Sequence, residues 1–346
     1  MKVLFIGGTG IISTACAELA VSRGIELTLL NRAKRPSIPG AKTLVADMAD
    51  PASAAKALAG TKWDSVVDFI SFTPAEVESR ISLLAGKTGQ YIFISSASAY
   101  QKPLTDYLVT ESTPLANPLW EYSRNKIACE ERLIRAYREQ GFPATIIRPS
   151  LTYGDTIIPL AVNSWLKGYT AVDRMRRGLP IIIPGDGLTL WTMTHNSDFA
   201  KGLVGLLAHA GSIGHALHIT SDEALTWNQI YAITAEAAGV ASPKFVHIAS
   251  DFITACIPSM VGSLLGDKSH TALFDNSKIR RFVPGYVATT RYTEGIRRTL
   301  AWYDADAARR QIDADAAAGW DKLIGAYERG LASAVTEFEA AGPGLR

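Results

Sequence analysis

Residues 1–24 read "MKVLFIGGTGIISTACAELAVSRG", and this stretch decides the fold. A short run, Lys2–Ile6, apolar from Val3 onward, breaks at Gly7-Gly8. A run with helical spacing follows and closes at Gly24. A buried strand that feeds a glycine loop and then a helix can aim its loop N–H groups, and the helix N-terminus, at a pyrophosphate. Gly7 stands at the tight turn and Gly10 where the backbone must approach the phosphates. The third small position is Ser13 rather than glycine, and a serine is still small enough for close packing of helix on strand.

The same rhythm continues. Apolar strands are expected at "ELTLL", "TLVA", "DSVVDFI", "QYIFISS" and "ATIIRP". Helices are expected at "PASAAKALAG", "PAEVESRISLLAG" and from about Tyr122 to Gln140. Apolar strands alternating with helices call for a parallel sheet covered on both faces. Right-handed crossovers make it a doubly wound α/β Rossmann sheet. The reading divides the chain into a dinucleotide-binding domain, 1–154, and a smaller α+β substrate region, 155–346. The segment at about 188–210 returns to the first. "PIIIP", "HALHIT" and "KFVHI" are taken as short strands of the second region. In "THNSDFAKG", Asp198 is expected to cap the following helix, with His195 packed beside the strand.

Composition bounds the partners. The 346 residues carry a net charge of only +2, with both signs interleaved, so nothing favours nucleic acid or an anionic membrane. Cys16, Cys129 and Cys256 have no paired spacing, and no segment reads as a signal peptide or a membrane span. A cytoplasmic protein is expected. His215 and His218 lack cysteine or carboxylate partners at ligand spacing, so no metal is expected.

The second strand ends "LTLLNRAKR". An acidic residue here would hold the ribose hydroxyls of NAD. Asn31 is neutral, while Arg32, Lys34 and Arg35 are basic and suit a 2′-phosphate. NADP(H) is therefore favoured as cofactor, with NAD(H) as the alternative. Further on, "ISSASAY" ends a strand and "WEYSRNK" opens a helix. Tyr122 and Lys126 are four apart and share a helix face. A free phenol has a pKa of about 10. An ammonium about 4 Å away contributes roughly 4 kcal/mol towards the phenolate, enough to bring the tyrosine near neutrality.

Together "GGTGIIS", "ISSASAY", "YSRNK" and "RPSLTYG" closely resemble the extended short-chain dehydrogenase/reductase superfamily, in its NAD-dependent epimerase/dehydratase group. "PIIIPGDGLTLWTMTHNSDFAKGLVGLL" and "DNSKIRRFVPGY" resemble its later segments. The resemblance implies Tyr122 as acid/base, Lys126 as the lysine of the nicotinamide ribose, and Ser96 as the serine that holds the reacting oxygen. It places the pyrophosphate at Gly7, Thr9, Gly10, Ile11 and Ile12, and the adenosine at Asn31, Arg32, Arg35, Asp47 and Met48. Phe69, Ile70 and Ser71 line the cofactor, and Pro149 lies near the carboxamide. Ser98 and Trp191 fall on the substrate side.

Departures narrow the reaction. Sugar 4,6-dehydratases have an Asp-Glu pair just after the catalytic hydroxyl residue, and here Ser96 is followed by "ASAY". Epimerases that retain NAD usually have an acidic residue where Asn31-Arg32 stands. Trp191 occupies the position at which nucleotide-sugar enzymes present an arginine to the pyrophosphate, unless Arg174, Arg176 or Arg177 replaces it. The expected function is an NADP(H)-dependent oxidoreductase that interconverts a secondary alcohol and ketone on a sugar-like molecule. The alternatives are a sugar or nucleotide-sugar epimerase and an RNA-binding relative of the chloroplast stem-loop binding proteins, whose second strand ends similarly. A homodimer through the helices after strands four and five is a family-level expectation.

Overall fold

In a computed structural model, which describes residues 1–340, the apolar runs form one parallel sheet. Its strands include β1 (Lys2–Ile6), β2 (Glu26–Asn31), β3 (Lys42–Val45), β4 (Ser65–Asp68) and β5 (Tyr91–Ile94). Two later strands, Ala144–Pro149 and Ala216–Ile219, complete seven. Across the sheet the order is Ala216–Ile219, Ala144–Pro149, β5, β4, β1, β2, β3. Order reverses beside β1, so the ends of β1 and β4 open the crevice in which doubly wound sheets bind ligands.

The helices α1 (Ile11–Ser22), α2 (Pro51–Ala57), α3 (Pro74–Leu84) and α4 (Glu121–Gln140) start where the sequence provides for it. Asp50 accepts the N–H groups of Ala52 and Ser53, and Thr73 and Glu76 form a reciprocal cap on α3. Gly141, in the left-handed region, ends α4. On one face of the sheet Cys16, Ala17 and Ala20 of α1 pack with Phe199 and Leu203 of the Asn196–Gly205 helix. On the other, Val77, Ile81 and Leu84 of α3 pack with Cys129 and Leu133 of α4. A separate apolar cluster, around Trp191, Trp227, Tyr231 and Tyr292, fills the second region.

Two expectations are corrected. "HALHIT" is not a strand of the second region: Ala216–Ile219 pairs in parallel with Ile146–Pro149 as the seventh strand of the main sheet. It covers an edge that would otherwise expose unpaired backbone groups. Asp198 does not cap the Asn196–Gly205 helix. His195 Nδ1 does so, accepting the Ser197 N–H at 3.3 Å. Asp198 is wholly buried instead, holding the N–H of Thr290 at 2.8 Å and the ammonium of Lys201 at 2.6 Å. Among the described residues no helix is long and apolar enough to cross a membrane.

Candidate active site

The glycine loop lies at the C-terminal end of β1. Gly7 (φ +102°) and Gly8 (φ +92°) occupy the left-handed region. A Cβ on Gly8 would also stand 2.7 Å from Leu29 Cδ2, and one on Gly7 2.9 Å from Ile70 Cγ2, so both positions need glycine. Ser13 has a distinct task. Its hydroxyl accepts the N–H of Gly10 at 2.8 Å, closing the start of α1 from within. The first-turn N–H groups of Ile11 and Ile12 have no intrahelical acceptor. Asn196 Nδ2 donates to the carbonyl of Ile11 at 2.9 Å and ties the loop to the Asn196–Gly205 helix packed beside α1.

Beside the loop lies the basic turn. Asn31 Oδ1 accepts the N–H of Ala33 at 2.7 Å, which bends the chain with Ala33 at φ +51°. Arg35 donates to the carbonyl of Thr9, while Arg32 extends into solvent with its nearest carboxylate, Asp47, at 3.9 Å. Met48 is buried, and its carbonyl accepts a bond from Arg80 at 3.1 Å. Arg80 in turn stands 3.5 Å from Asp68, at the end of β4.

Asp68 is a residue whose role sequence reasoning missed. Fully buried, it accepts the N–H groups of Ile70 and Ser71 and the hydroxyls of Ser71 and Tyr91. The single signal was a carboxylate closing the otherwise apolar "SVVD". By fixing the Ile70–Ser71 turn, Asp68 aims the carbonyl of Ser71 at Lys126.

Lys126 Nζ donates to the carbonyls of Ser71 and Ile94, both at 2.8 Å, and lies over the rings of Phe72 and Phe93. Burial holds its pKa down at about 8. Tyr122 lies on the same helix face, its ring centroid 5.8 Å from that ammonium and 5.0 Å from the ring of Trp120. The expected lowering of the phenol by the ammonium is not found. Burial raises the Tyr122 pKa above its ordinary value, the nearby Ser96 hydroxyl pulls it down, and Asp267 adds to the rise. The Lys126 ammonium donates to two carbonyls and makes no hydrogen bond to the phenol among the described residues.

Ser96 Oγ is 2.8 Å from Ser98 Oγ, which also accepts a bond from Ser123 at 2.8 Å. Ser98 is thus buried and fully engaged within the chain. Behind it, Glu130 receives two nitrogens of Arg148 and the hydroxyl of Ser95. This buried pair links α4 to the neighbour of Ser96 and to the strand that ends at Pro149. Nothing in the local spacing of Glu130 or Arg148 announced it.

The substrate-side residues are not gathered as expected. Trp191 is 4% exposed and stacks on Trp227 at 5.6 Å, so it is packed into the core of the second region rather than laid open as a wall. Its indole N–H is buried without an acceptor among the described residues. Arg174 is bound to Pro180 and Asp321, Arg176 to Asp304, and Arg177 to Asp173. His218 is buried between Tyr100 and the carbonyl of Asp275. Among the described residues no group of three or more potential ligands is placed to hold a metal ion.

With this geometry in place, the similarity to known proteins can be read. Residues 3–220 match the family described as "NAD dependent epimerase/dehydratase family". The chain belongs to this family. It is 26% identical over 245 residues to a 2′-dehydrokanamycin reductase of Streptomyces kanamyceticus, covering 69% of this chain and 67% of that one. It is also 26% identical over 261 residues to the chloroplast stem-loop binding protein of 41 kDa b of Arabidopsis thaliana, covering 71% and 65%. These matches span about two-thirds of those relatives' lengths. In fold this family member is similar to UDP-glucuronic acid 4-epimerase from Bacillus cereus, solved with UDP-glucuronic acid and NAD. The TM-score is 0.69 at 17% identity, over 88% of this chain and 99% of that one.

Proposed function

We propose that this family member is an NADP(H)-dependent oxidoreductase that interconverts a secondary alcohol and a ketone on a sugar-like small molecule. The observation that supports it most is the meeting of Ser96, Tyr122 and Lys126 beside the glycine loop's end of the sheet. Two of the three ammonium hydrogens of Lys126 are used by Ser71 and Ile94, which leaves one for a ribose hydroxyl. The dinucleotide fits the residues present, since Gly7 and Gly8 admit no side chain and the helix start offers the N–H groups of Ile11 and Ile12. Residues 1–154 would hold it, with Asn31, Arg32, Arg35, Asp47 and Met48 around the adenosine and Phe69, Ile70, Ser71 and Pro149 around the nicotinamide. When bound, the nicotinamide supplies or accepts a hydride.

The chain's own residues handle the proton. Ser96 and Tyr122 hold one substrate oxygen between two hydroxyls. Burial raises the phenol above its ordinary value, and the protonated Tyr122 can donate its proton to a carbonyl oxygen as a ketone is reduced. Trp191 in place of an arginine, and the engagement of Arg174, Arg176 and Arg177 elsewhere, favour a substrate without a nucleotide diphosphate.

The deciding experiment follows NADPH absorbance with a panel of ketones and sugar ketones. Steady oxidation of NADPH supports the oxidoreductase, and product formed without net cofactor turnover supports the epimerase reading. A second reading, RNA binding, is favoured by the likeness to the stem-loop binding protein and by "NRAKR". Binding of structured RNA that falls steeply with salt would establish it. The α3–α4 face is the proposed dimer contact, tested by light scattering.

A further inference from the structure

Lys102 is a buried charge that the proposed chemistry leaves unused. Its side chain is 2% exposed, yet its ammonium finds no hydrogen-bond acceptor among the described residues. The nearest carboxylate, Asp267, is 4.0 Å away. Asp267 also faces Lys268, at 3.6 Å. The next titratable group, His270, is held towards its neutral form by burial and bonds the carbonyl of Leu265. An ammonium carries three donors, and the Lys102 nitrogen, which is not among the fully buried unpaired atoms, is open to a partner from outside the chain.

The cluster is tied to the catalytic floor. Asn117 Nδ2 donates to the carbonyls of Ser98 at 2.8 Å and Gly266 at 2.7 Å, clamping the Leu264–Lys268 turn onto the end of β5. Gly262 lies against the indole of Trp120, which itself meets Tyr122. The segments that follow Lys102 and Lys268 line a cavity of about 190 Å³, bordered by Leu104, Thr105, Asp106, Tyr107, His270 and Thr271.

We propose that Lys102 and Lys268, facing Asp267, bind an anionic oxygen group, a carboxylate or a phosphate, on the substrate whose reacting oxygen lies at Tyr122. At Asp267 two ammonium groups and one carboxylate leave one net positive charge, which matches one anionic substituent, while Asp106 on the cavity border is turned to the Leu108 N–H. An amine would need Asp267 to itself, whereas that carboxylate already faces two lysines. Charge-assisted bonds to carboxylate or phosphate are the stronger kind. The inference rests on the oxidoreductase reading and names the substrate class for that same site.

Calorimetry on the full chain, with and without NADPH, tests it with gluconate, glucose 6-phosphate and uncharged glucose. One of the two anions should bind about tenfold or more tightly than glucose, and whichever it is separates carboxylate from phosphate. Lys102→Met should remove the preference and Lys102→Arg should keep it. Asp267→Asn should strengthen anion binding severalfold, a gain that misfolding cannot produce. Equal binding of all three sugars, or weaker anion binding in Asp267→Asn, overturns the inference. NADPH binding in the same titrations reports separately on the oxidoreductase reading, which fails if no dinucleotide binds.

Discussion

The guanidinium of Arg35 donates to the main-chain carbonyl of Thr9 at 2.6 Å, so the basic turn after β2 is fastened to the glycine loop. Arg32, by contrast, is exposed, with only Asp47 nearby at 3.9 Å. The two arginines should therefore separate selectivity from loop structure. Arg32→Ala should weaken NADPH about tenfold and leave NADH unchanged, the loss of a charge-assisted bond to a 2′-phosphate. Arg35→Ala should weaken both, because it also frees Thr9. Fluorescence titration of each dinucleotide reads this, and equal binding of NADH and NADPH by the unmutated protein would refute the 2′-phosphate argument.

For the proton donor, Tyr122→Phe keeps the ring against Trp120 and removes only the hydroxyl. Turnover should fall by about 10²–10⁴, with NADPH affinity nearly intact. Lys126→Ala should damage both, since it empties the space between the carbonyls of Ser71 and Ile94. Substantial turnover in Tyr122→Phe would take the phenol out of the chemistry.

The first six strands of the sheet and the Ser-Tyr-Lys set were legible because their signals are local: apolar runs, a glycine break, a spacing of four on one helix. What escaped depends on partners far along the chain. The seventh strand arrives only after the chain has left the sheet and returned, and "ALHI" is too short to announce its partner. His218 was set aside as a metal ligand, and its burial against Tyr100 and the carbonyl of Asp275 could not be read from its neighbours in sequence. The rise of the phenol's pKa escaped because the burial that causes it is not visible in the local spacing of Tyr122 and Lys126. The stacking of Trp191 on Trp227 depends on a helix more than thirty residues later.

Burying Lys126 makes stability depend on pH in a defined window. Its pKa is about 8 in the folded chain, against about 10.4 for an unfolded lysine. Below 8 the lysine is charged in both states and the penalty for burying it is fully present. Between about 8 and 10.4 the unfolded chain binds more protons, so stability rises with pH, by about 3 kcal/mol across the window. Lys126→Met should lack this rise. Urea unfolding of both proteins from pH 7 to 10.5 measures the difference, and parallel curves would contradict it.

Glu130 and Arg148 are 3% and 6% exposed and joined through two guanidinium nitrogens. Removing one partner strands a buried charge, so Glu130→Ala or Arg148→Ala should each cost about 3–5 kcal/mol. The double variant Glu130→Ala with Arg148→Ala should lose much less than the sum, because neither charge is then left alone. Denaturant unfolding of the four proteins gives the coupling directly. Additive losses would show that the pair does not act as a unit.

Gly262 is a packing glycine rather than a turn glycine. Its φ lies outside the left-handed region, but a Cβ there would stand 2.2 Å from Trp120 Cδ1 and 2.6 Å from Cγ. Trp120 precedes α4 directly, and its ring meets Tyr122 at 5.0 Å. A methyl group at 262 must therefore push the indole towards the phenol or lift the turn that carries Asp267. Overpacking of this kind costs about 1–3 kcal/mol. Gly262→Ala should lose that much stability and should also lower turnover, while NADPH affinity stays unchanged because the glycine loop is remote from the contact. Combining it with Trp120→Leu should recover part of the stability, since the smaller side chain vacates the space the methyl needs. Unfolding curves and initial rates on the two single variants and the double variant separate these effects. A Gly262→Ala protein with unaltered stability and unaltered turnover would mean that this turn is not held against Tyr122 through Trp120.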